Sequence, residues 1–335
     1  MTDLTTSWLG LTLRSPLVIA ASPISHDLVA AKQAVAAGAG AIVMYSLFEE
    51  QVVAEQMAAH HFLDSRIDND AEARSFLPDS DVFALGTEPY LRQLEQLCQH
   101  LDVPVIASLN GNTPGGWTDY AKQLEARGAA AIELNLYDVV TSATRTAAEI
   151  ESDQLGIVES VVNQVSVPVT VKLSPFYSAL PAFAKQLKNA GARGVTLFNR
   201  FYQPDIDLEQ LDVDLKLAYS TSAELPLRLH ALAILHPSSA LELACSGGVH
   251  SGLDAAKAIL AGASVVQIAS ALLEHGPEQL ATIHNELHQW LDDKQYRSVS
   301  EACGVMSLAS APAPQQWERL NYMKILQGWQ PRKRK

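Results

Sequence analysis

Short, almost uninterrupted apolar runs recur along this chain, separated by longer stretches whose apolar residues return every three or four positions. The first pattern fits strands covered on both faces, the second amphipathic helices. Residues 16–21 read as a strand, 27–37 as a helix and 41–46 as a second strand. Helix 90–101, strand 104–109, helix 117–127 and strand 130–136 follow. Helix 149–165, strand 169–173, helix 179–190 and strand 195–199 continue the alternation. A helix around 227–235, strand 241–244, helix 253–260 and strand 264–268 complete it. After Leu272 the pattern predicts one C-terminal helix to about Trp290, then an appendage.

The punctuation agrees with this reading. Ala37-Gly38-Ala39, Arg127-Gly128-Ala129, Ala190-Gly191-Ala192 and Ala261-Gly262-Ala263 each stand between a helix and the next strand. Such a turn is a glycine C-cap with a short connection behind it. Eight units of this kind predict an α/β chain folded as a (β/α)8 TIM barrel. A doubly wound open sheet is the competing architecture, but the first strand–helix turn, Ala21-Ser22-Pro23, lacks any GxGxxG.

The 335 residues suit one barrel domain spanning the whole chain. Residues 47–88 form a connection out of proportion to the others, carrying His60, His61, Asp64, Arg66, Asp68, Asp70 and Arg74. A loop of that length reads as an active-site cover. Residues 201–224 are a similar, shorter case. Adjacent residues of an extended segment point opposite ways, so His60-His61 is not expected to hold a metal.

Charge and cysteine usage narrow the partners. A formal charge of −13 argues against nucleic acid, and the basic residues of the tail 331–335 read as solvated. Cys98, Cys245 and Cys303 are too far apart for a metal motif and odd in number, as expected of a reducing cytoplasm. The chain starts without a basic and apolar leader, and no apolar run approaches the ~20 residues of a membrane span. A cytoplasmic protein with a small-molecule substrate and no membrane contact is the expectation.

The chemistry concentrates at the carboxyl ends of the predicted strands, where a barrel carries its active site. Read off in order they give Ser22, Ser46, Ser108 with Asn110, Asn135, Lys172 and Asn199. The last two strands end in Gly247-Gly248 and Ala269-Ser270. Paired glycines followed by a helix start suit a phosphate. The remaining set is polar and mostly neutral, as a flat heteroaromatic ring requires, and lacks the clustered acids and histidines of a metal site. Lys172 ends a run of valines and enters the mouth from an apolar wall. It could form a Schiff base, as in an aldolase, or place a positive charge against an electron-accepting ring.

Several segments carry a resemblance. VKLSPF at 171–176, ELNL at 133–136, the run 246–272, LGLTLRSPLVIAAS near the start and QYRSVSEACG at 295–304 resemble the dihydroorotate dehydrogenase family, in order along nearly the whole chain. The resemblance implies an FMN-binding barrel of pyrimidine biosynthesis, which oxidises dihydroorotate to orotate by hydride transfer to flavin. It implies that Gly247, Gly248, Ala269 and Ser270 bind the FMN phosphate and that Lys172 lies beside the N1–C2=O edge of the ring. Ser22, Ser46, Asn110, Asn135 and Asn199 would line cofactor and substrate. A homodimer is the family's expectation, and no membrane helix supports a quinone-linked type.

The departures fall on the substrate side. Tyr45 precedes the serine of strand two, where the family has lysine. The family's N-L-S-C-P-N loop reads Asn135-Leu136-Tyr137-Asp138-Val139-Val140, so its base position holds Asp138 and its second asparagine becomes Val140. No counterpart of the N-S-M-G-L-P-N segment occurs in 47–88. Asp138 remains a candidate base beside Lys172. Arg200, after Asn199, and Arg66 are candidates for an anionic substrate. The alternatives are an FMN-binding paralogue that is non-catalytic or acts differently, and a Schiff-base aldolase using Lys172. A transfer-RNA dihydrouridine synthase is disfavoured by the negative charge.

Overall fold

The computed structural model describes residues 2–51, 87–111, 117–200, 203–214 and 218–328. A hairpin, β1 (Thr6–Trp8) and β2 (Leu11–Leu13), comes first. Then follow β3 (Leu17–Ile19), α1 (Leu28–Ala36), β4 (Ala41–Phe48), α2 (Thr87–His100), β5 (Val105–Asn110) and α3 (Trp117–Ala126). β6 (Ala131–Asn135), α4 (Ala147–Val162), β7 (Val169–Leu173), α5 (Leu180–Asn189) and β8 (Gly194–Leu197) continue the alternation. A second hairpin, β9 (Asp205–Asp207) and β10 (Asp212–Asp214), precedes α6 (Leu225–Leu235), β11 (Glu242–Ser246), α7 (Gly252–Ala261) and β12 (Val265–Ile268). The chain ends with α8 (Ser270–His275), α9 (Gln279–Asp293), α10 (Val299–Ala302) and α11 (Leu320–Gln327).

β3 to β8, β11 and β12 form a closed parallel barrel in chain order, β12 pairing with β3 through Val266 opposite Leu17. The expected eight strands are all present, within a few residues of where the apolar runs place them. Their outward residues and the helices share one large core, to which Leu17, Ile42, Ile132, Val171 and Val266 contribute. Inward residues follow the two-residue period of a strand. On β6 these are Ala131, Glu133 and Asn135; on β5, Ile106, Ser108 and Asn110; on β12, Val265 and Gln267. The interior therefore runs from apolar at the amino ends of the strands to polar at their carboxyl ends.

The N-terminal hairpin closes the apolar end. Trp8, Leu9 and Leu13 join Val18, Ala41, Val43, Ile106, Ala131, Ala244 and Val265 in one buried cluster. Its strands are three residues each, too short for a periodic signal, and the turn relies on positive φ at Leu9 and Gly10. The barrel is thus plugged at one end and open for chemistry at the other.

One expectation needs correction. The single helix after Leu272 is two, α8 and α9, separated at Gly276-Pro277. Proline cannot continue the helical hydrogen bonding and keeps the preceding residue out of the α region; Gly276 takes φ +91. The connection 201–224 holds the exposed β9–β10 hairpin. His60, His61, Asp64, Arg66, Asp68, Asp70, Arg74 and the tail 331–335 lie outside the described residues. No helix among the described residues is long and apolar enough to cross a membrane.

Candidate active site

A cavity of two lobes opens at the carboxyl ends of the barrel strands. The glycine lobe, about 310 Å³, is lined by Arg200, Ser220, Arg228, Gly247, Gly248, Gln267, Ala269 and Ser270 among others. The asparagine lobe, about 330 Å³, is lined by His26, Tyr45, Ser46, Asn110, Asn135 and Tyr137. Ser22, Lys172 and Asn199 line both, together with Ala21 and Pro23. Of the residues expected from the sequence, Ser108 and Asp138 border neither lobe and Arg66 lies outside the described residues; the others all line this cavity.

The glycine lobe is built by close backbone approach. Gly247 and Gly248 follow β11 with φ +90 and +80, and a Cβ on Gly248 would stand 2.6 Å from the Leu225 amide nitrogen. Only glycine fits where the start of α6 presses on this turn. The Gly248 N–H donates to Ser220 Oγ at 3.3 Å, and Ser220 Oγ donates to Ser270 Oγ at 2.9 Å. Beneath Gly247 lies Arg228, 5% exposed, donating from Nε to the Ser246 carbonyl at 3.1 Å and from Nη1 to the Glu224 carbonyl at 3.0 Å. Burial lowers the Arg228 pKa, partly opposed by Glu224. The Glu224 carboxylate lies 3.8 Å from Arg228 and 3.6 Å from Arg200, so two guanidinium groups share one acid.

The floor of the cavity is a buried polar network. Glu133, with no exposed surface, accepts from Thr196 Oγ1 at 3.1 Å and Gln267 Nε2 at 2.7 Å, and pairs with Lys172 Nζ at 3.4 Å. Lys172 is 6% exposed and emerges at the junction of the lobes. Two buried atoms on the cavity wall, Ser22 Oγ and Gln267 Oε1, have no hydrogen-bond partner among the described residues. Such atoms are rare in folded proteins; Trp8 Nε1 and Thr170 Oγ1 are two more away from the cavity, and only at Ser22 and Gln267 does an open lobe leave room for a ligand to supply the partner.

The asparagine lobe presents amides and hydroxyls. Asn199 Nδ2 donates to Asn135 Oδ1 at 2.8 Å, and Ser46 and Ser108 share a hydroxyl hydrogen bond of 2.9 Å. Tyr45, where the resemblance leads one to expect lysine, packs on His26 with ring centroids 3.8 Å apart and edge-on to Tyr90 at 4.9 Å. Burial pushes its phenol up to about 12, so it stays neutral. Asp138 lines neither lobe. It is half-buried, and its charge helps raise the pKa of Tyr177, which burial chiefly raises. Its neighbour Tyr137 lines the cavity, while Val139 and Val140 are exposed.

Four residues of the site went unnoticed as such in the sequence: Glu133, Ser220, Arg228 and Gln267. Arg228 left a signal, being the one guanidinium in the apolar helix segment LPLRLHALAIL. Glu133 and Gln267 are polar positions inside otherwise apolar strands, which an inward-facing assignment would have flagged.

A closed parallel barrel whose polar interior gathers under one cavity at the strand carboxyl ends is a TIM-barrel enzyme. Residues 80–291 match the family described as dihydroorotate dehydrogenase. The chain is 27% identical over 316 residues to the dihydroorotate dehydrogenase B (NAD(+)) catalytic subunit of Endomicrobium trichonymphae, covering 90% of this chain and 96% of that protein. Identity to the Thermoplasma acidophilum protein of the same name is 27%, covering 91% and 99%. Against the dihydroorotate dehydrogenase A (fumarate) of Lacticaseibacillus paracasei it is 31%, covering 58% and 67%. This chain belongs to the dihydroorotate dehydrogenase family and is an oxidoreductase of that kind.

Proposed function

We propose that this chain binds FMN across both lobes and uses it to oxidise dihydroorotate, or a small cyclic substrate of similar shape. The observation that carries the reading is Lys172, which lines both lobes at once. A ligand with a phosphate at one end and a flat polar ring at the other would span them past this lysine. The residues present fit such a group. Gly247 and Gly248 leave a cradle with no room for a Cβ on Gly248, Arg228 supplies a buried cation, and Ser22 Oγ and Gln267 Oε1 await partners.

In this reading Gly247, Gly248, Ala269 and Ser270 hold the phosphate end, and Ser22, Ser46, Asn110 and Lys172 border the ring. Bound FMN supplies a hydride acceptor. Asn135 and Asn199 orient the substrate through their amides, Arg200 lines the glycine lobe at the phosphate end, and Asp138, which follows the lobe residue Tyr137, is the candidate acceptor of the substrate proton. The whole chain acts as one domain. The lysine amine is tied to Glu133, whereas a Schiff-base lysine must attack a carbonyl, so the aldolase alternative gains nothing from this geometry.

The purified protein is expected to show a flavin visible spectrum, or to gain one with added FMN, and to lose it on anaerobic mixing with dihydroorotate. A protein that takes up no flavin overturns the reading. A specific observation favours a second reading, an FMN protein with another substrate: Asp138 borders neither lobe and Val140 is 41% exposed. Flavin that binds but is never bleached by dihydroorotate would select it.

A further inference from the structure

One carboxylate with no exposed surface stands beneath the cavity. Glu133 occupies the middle of β6, between Ala131 on the plugged side and Asn135 at the mouth. Removing a carboxylate from water costs several kcal/mol, and it persists only where donors surround it. Here they are Lys172 Nζ on Oε1, and Thr196 Oγ1 and Gln267 Nε2 on Oε2. Because a carboxylate only accepts, the Gln267 amide must turn its NH2 toward Glu133. That choice leaves Gln267 Oε1 as the unpartnered atom on the cavity wall.

The distances divide the carboxylate unequally. Gln267, on β12, holds it at 2.7 Å, while Lys172 stands at 3.4 Å. A full charge-assisted N–H···O bond is about 2.7–2.9 Å. Thr196 and Gln267 thus tether Glu133 across the barrel floor, and Lys172 is only partly neutralised. The cation retains field for whatever lies above it at the junction of the lobes.

We infer that Glu133 is a positioning residue: through Lys172 it sets how readily the bound ring accepts electrons, with Thr196 and Gln267 holding it short of a full ion pair. The inference rests on the FMN reading. A hydride carries two electrons and one proton, so a neutral ring that accepts it from the substrate becomes an anion. The Lys172 cation favours that change and the Glu133 charge opposes it. The balance between them shifts the reduction potential of the cofactor.

Three variants separate the two signs. Glu133→Gln removes the negative charge and raises the potential. Lys172→Met removes the positive one and lowers it. Thr196→Val keeps both charges but removes one of the two donors on Oε2, leaves Gln267 as the sole tether, loosens the carboxylate toward Lys172, and also lowers it. The test loads each protein with FMN and measures the two-electron potential anaerobically against a reference dye, with melting temperature recorded alongside. The expected result for Glu133→Gln is a roughly tenfold larger equilibrium constant for reduction, about 30 mV upward. Equal potentials in wild type and Glu133→Gln, with flavin bound in both, overturn the inference and leave the FMN reading standing. A wild-type protein that takes up no flavin overturns both. Should Glu133→Gln not fold, Thr196→Val decides: an unchanged or raised potential overturns the inference.

Discussion

Asn199 donates its side-chain amide to Asn135 Oδ1 at 2.8 Å, and the bond passes over the strand that carries Lys172. Asn135 pairs in register with Lys172 on β7, and Lys172 with Thr196 on β8, so the two asparagines flank the lysine at the mouth. Each fixes the other's orientation. The Asn135 N–H groups and Asn199 Oδ1 are then left for a ligand. Replacing Asn199 with alanine removes both the tether and one ligand contact. A lost hydrogen bond to a buried polar group costs about 1–3 kcal/mol, so anaerobic stopped-flow should show flavin reduction by dihydroorotate slowed roughly 10- to 100-fold. The flavin spectrum itself should be retained, since the phosphate end is untouched.

Gly248 and Gly276 separate steric necessity from local strain. Both have positive φ, +80 and +91, but their surroundings differ. A Cβ on Gly248 would stand 2.6 Å from the Leu225 backbone nitrogen, whereas one on Gly276 would meet only the end of the Glu278 side chain at 3.2 Å. Gly276→Ala should therefore cost about 1–3 kcal/mol of stability and leave flavin content at one per chain. Gly248→Ala should displace the start of α6 and empty the phosphate end. Absorbance at the flavin band after reconstitution, with melting temperature for both, checks the contrast.

The barrel was legible because parallel strands covered on both faces are apolar throughout, and because glycine caps mark where each helix stops. Lys172 stood out as a cation among valines. What stayed hidden depends on contacts between distant positions. Glu133 and Gln267 lie 134 residues apart and touch only because the barrel closes, and no local period encodes that meeting. The N-terminal hairpin escaped for a different reason, its strands being too short to show alternation. Asp138 illustrates a third limit. Alignment to a motif assigns a loop position, but the neighbour Tyr137 is the residue that borders the cavity. The break at Gly276-Pro277 was readable from the dipeptide alone.

In the FMN reading, Arg228 should make the glycine lobe selective for a charged end group. It lies buried under Gly247 with only partial compensation from Glu224 at 3.8 Å. A phosphate at Gly247-Gly248 would gain from this cation, and an uncharged ribityl end would not. Hydrogen bonds to charged groups contribute about 1.5–3 kcal/mol, so Arg228→Gln should weaken FMN binding roughly 10- to 100-fold. Riboflavin binding should change much less. Titrating both ligands by flavin fluorescence against each protein reads the ratio directly, and an equal loss for the two ligands would reduce Arg228 to a packing role.

Stability should fall on mild acidification through histidine. Burial lowers the pKa of both His236 and His284 below the ordinary 6.5. His284 also feels His288, while a hydrogen bond with Asn285 opposes the shift. In the unfolded chain these rings take up protons near 6.5, while the folded protein holds them neutral. The unfolded state therefore binds more protons as pH drops through 6.5, and stability is lost progressively until the folded values are reached. Asp254 acts in a lower window. Burial raises its pKa, but hydrogen bonds from Ser222, the His250 N–H, Ser251 and Lys257 outweigh this and hold it below 3.8. Its contribution is intact throughout the histidine range and fails only in stronger acid. The melting temperature should thus decline between pH 7.5 and pH 5.5. His236→Gln should start lower at pH 7.5, because the ring packs against Gly262 and Gly304, yet decline less steeply. A wild-type melting temperature that is flat across this window would exclude the histidines as its acid-sensitive groups.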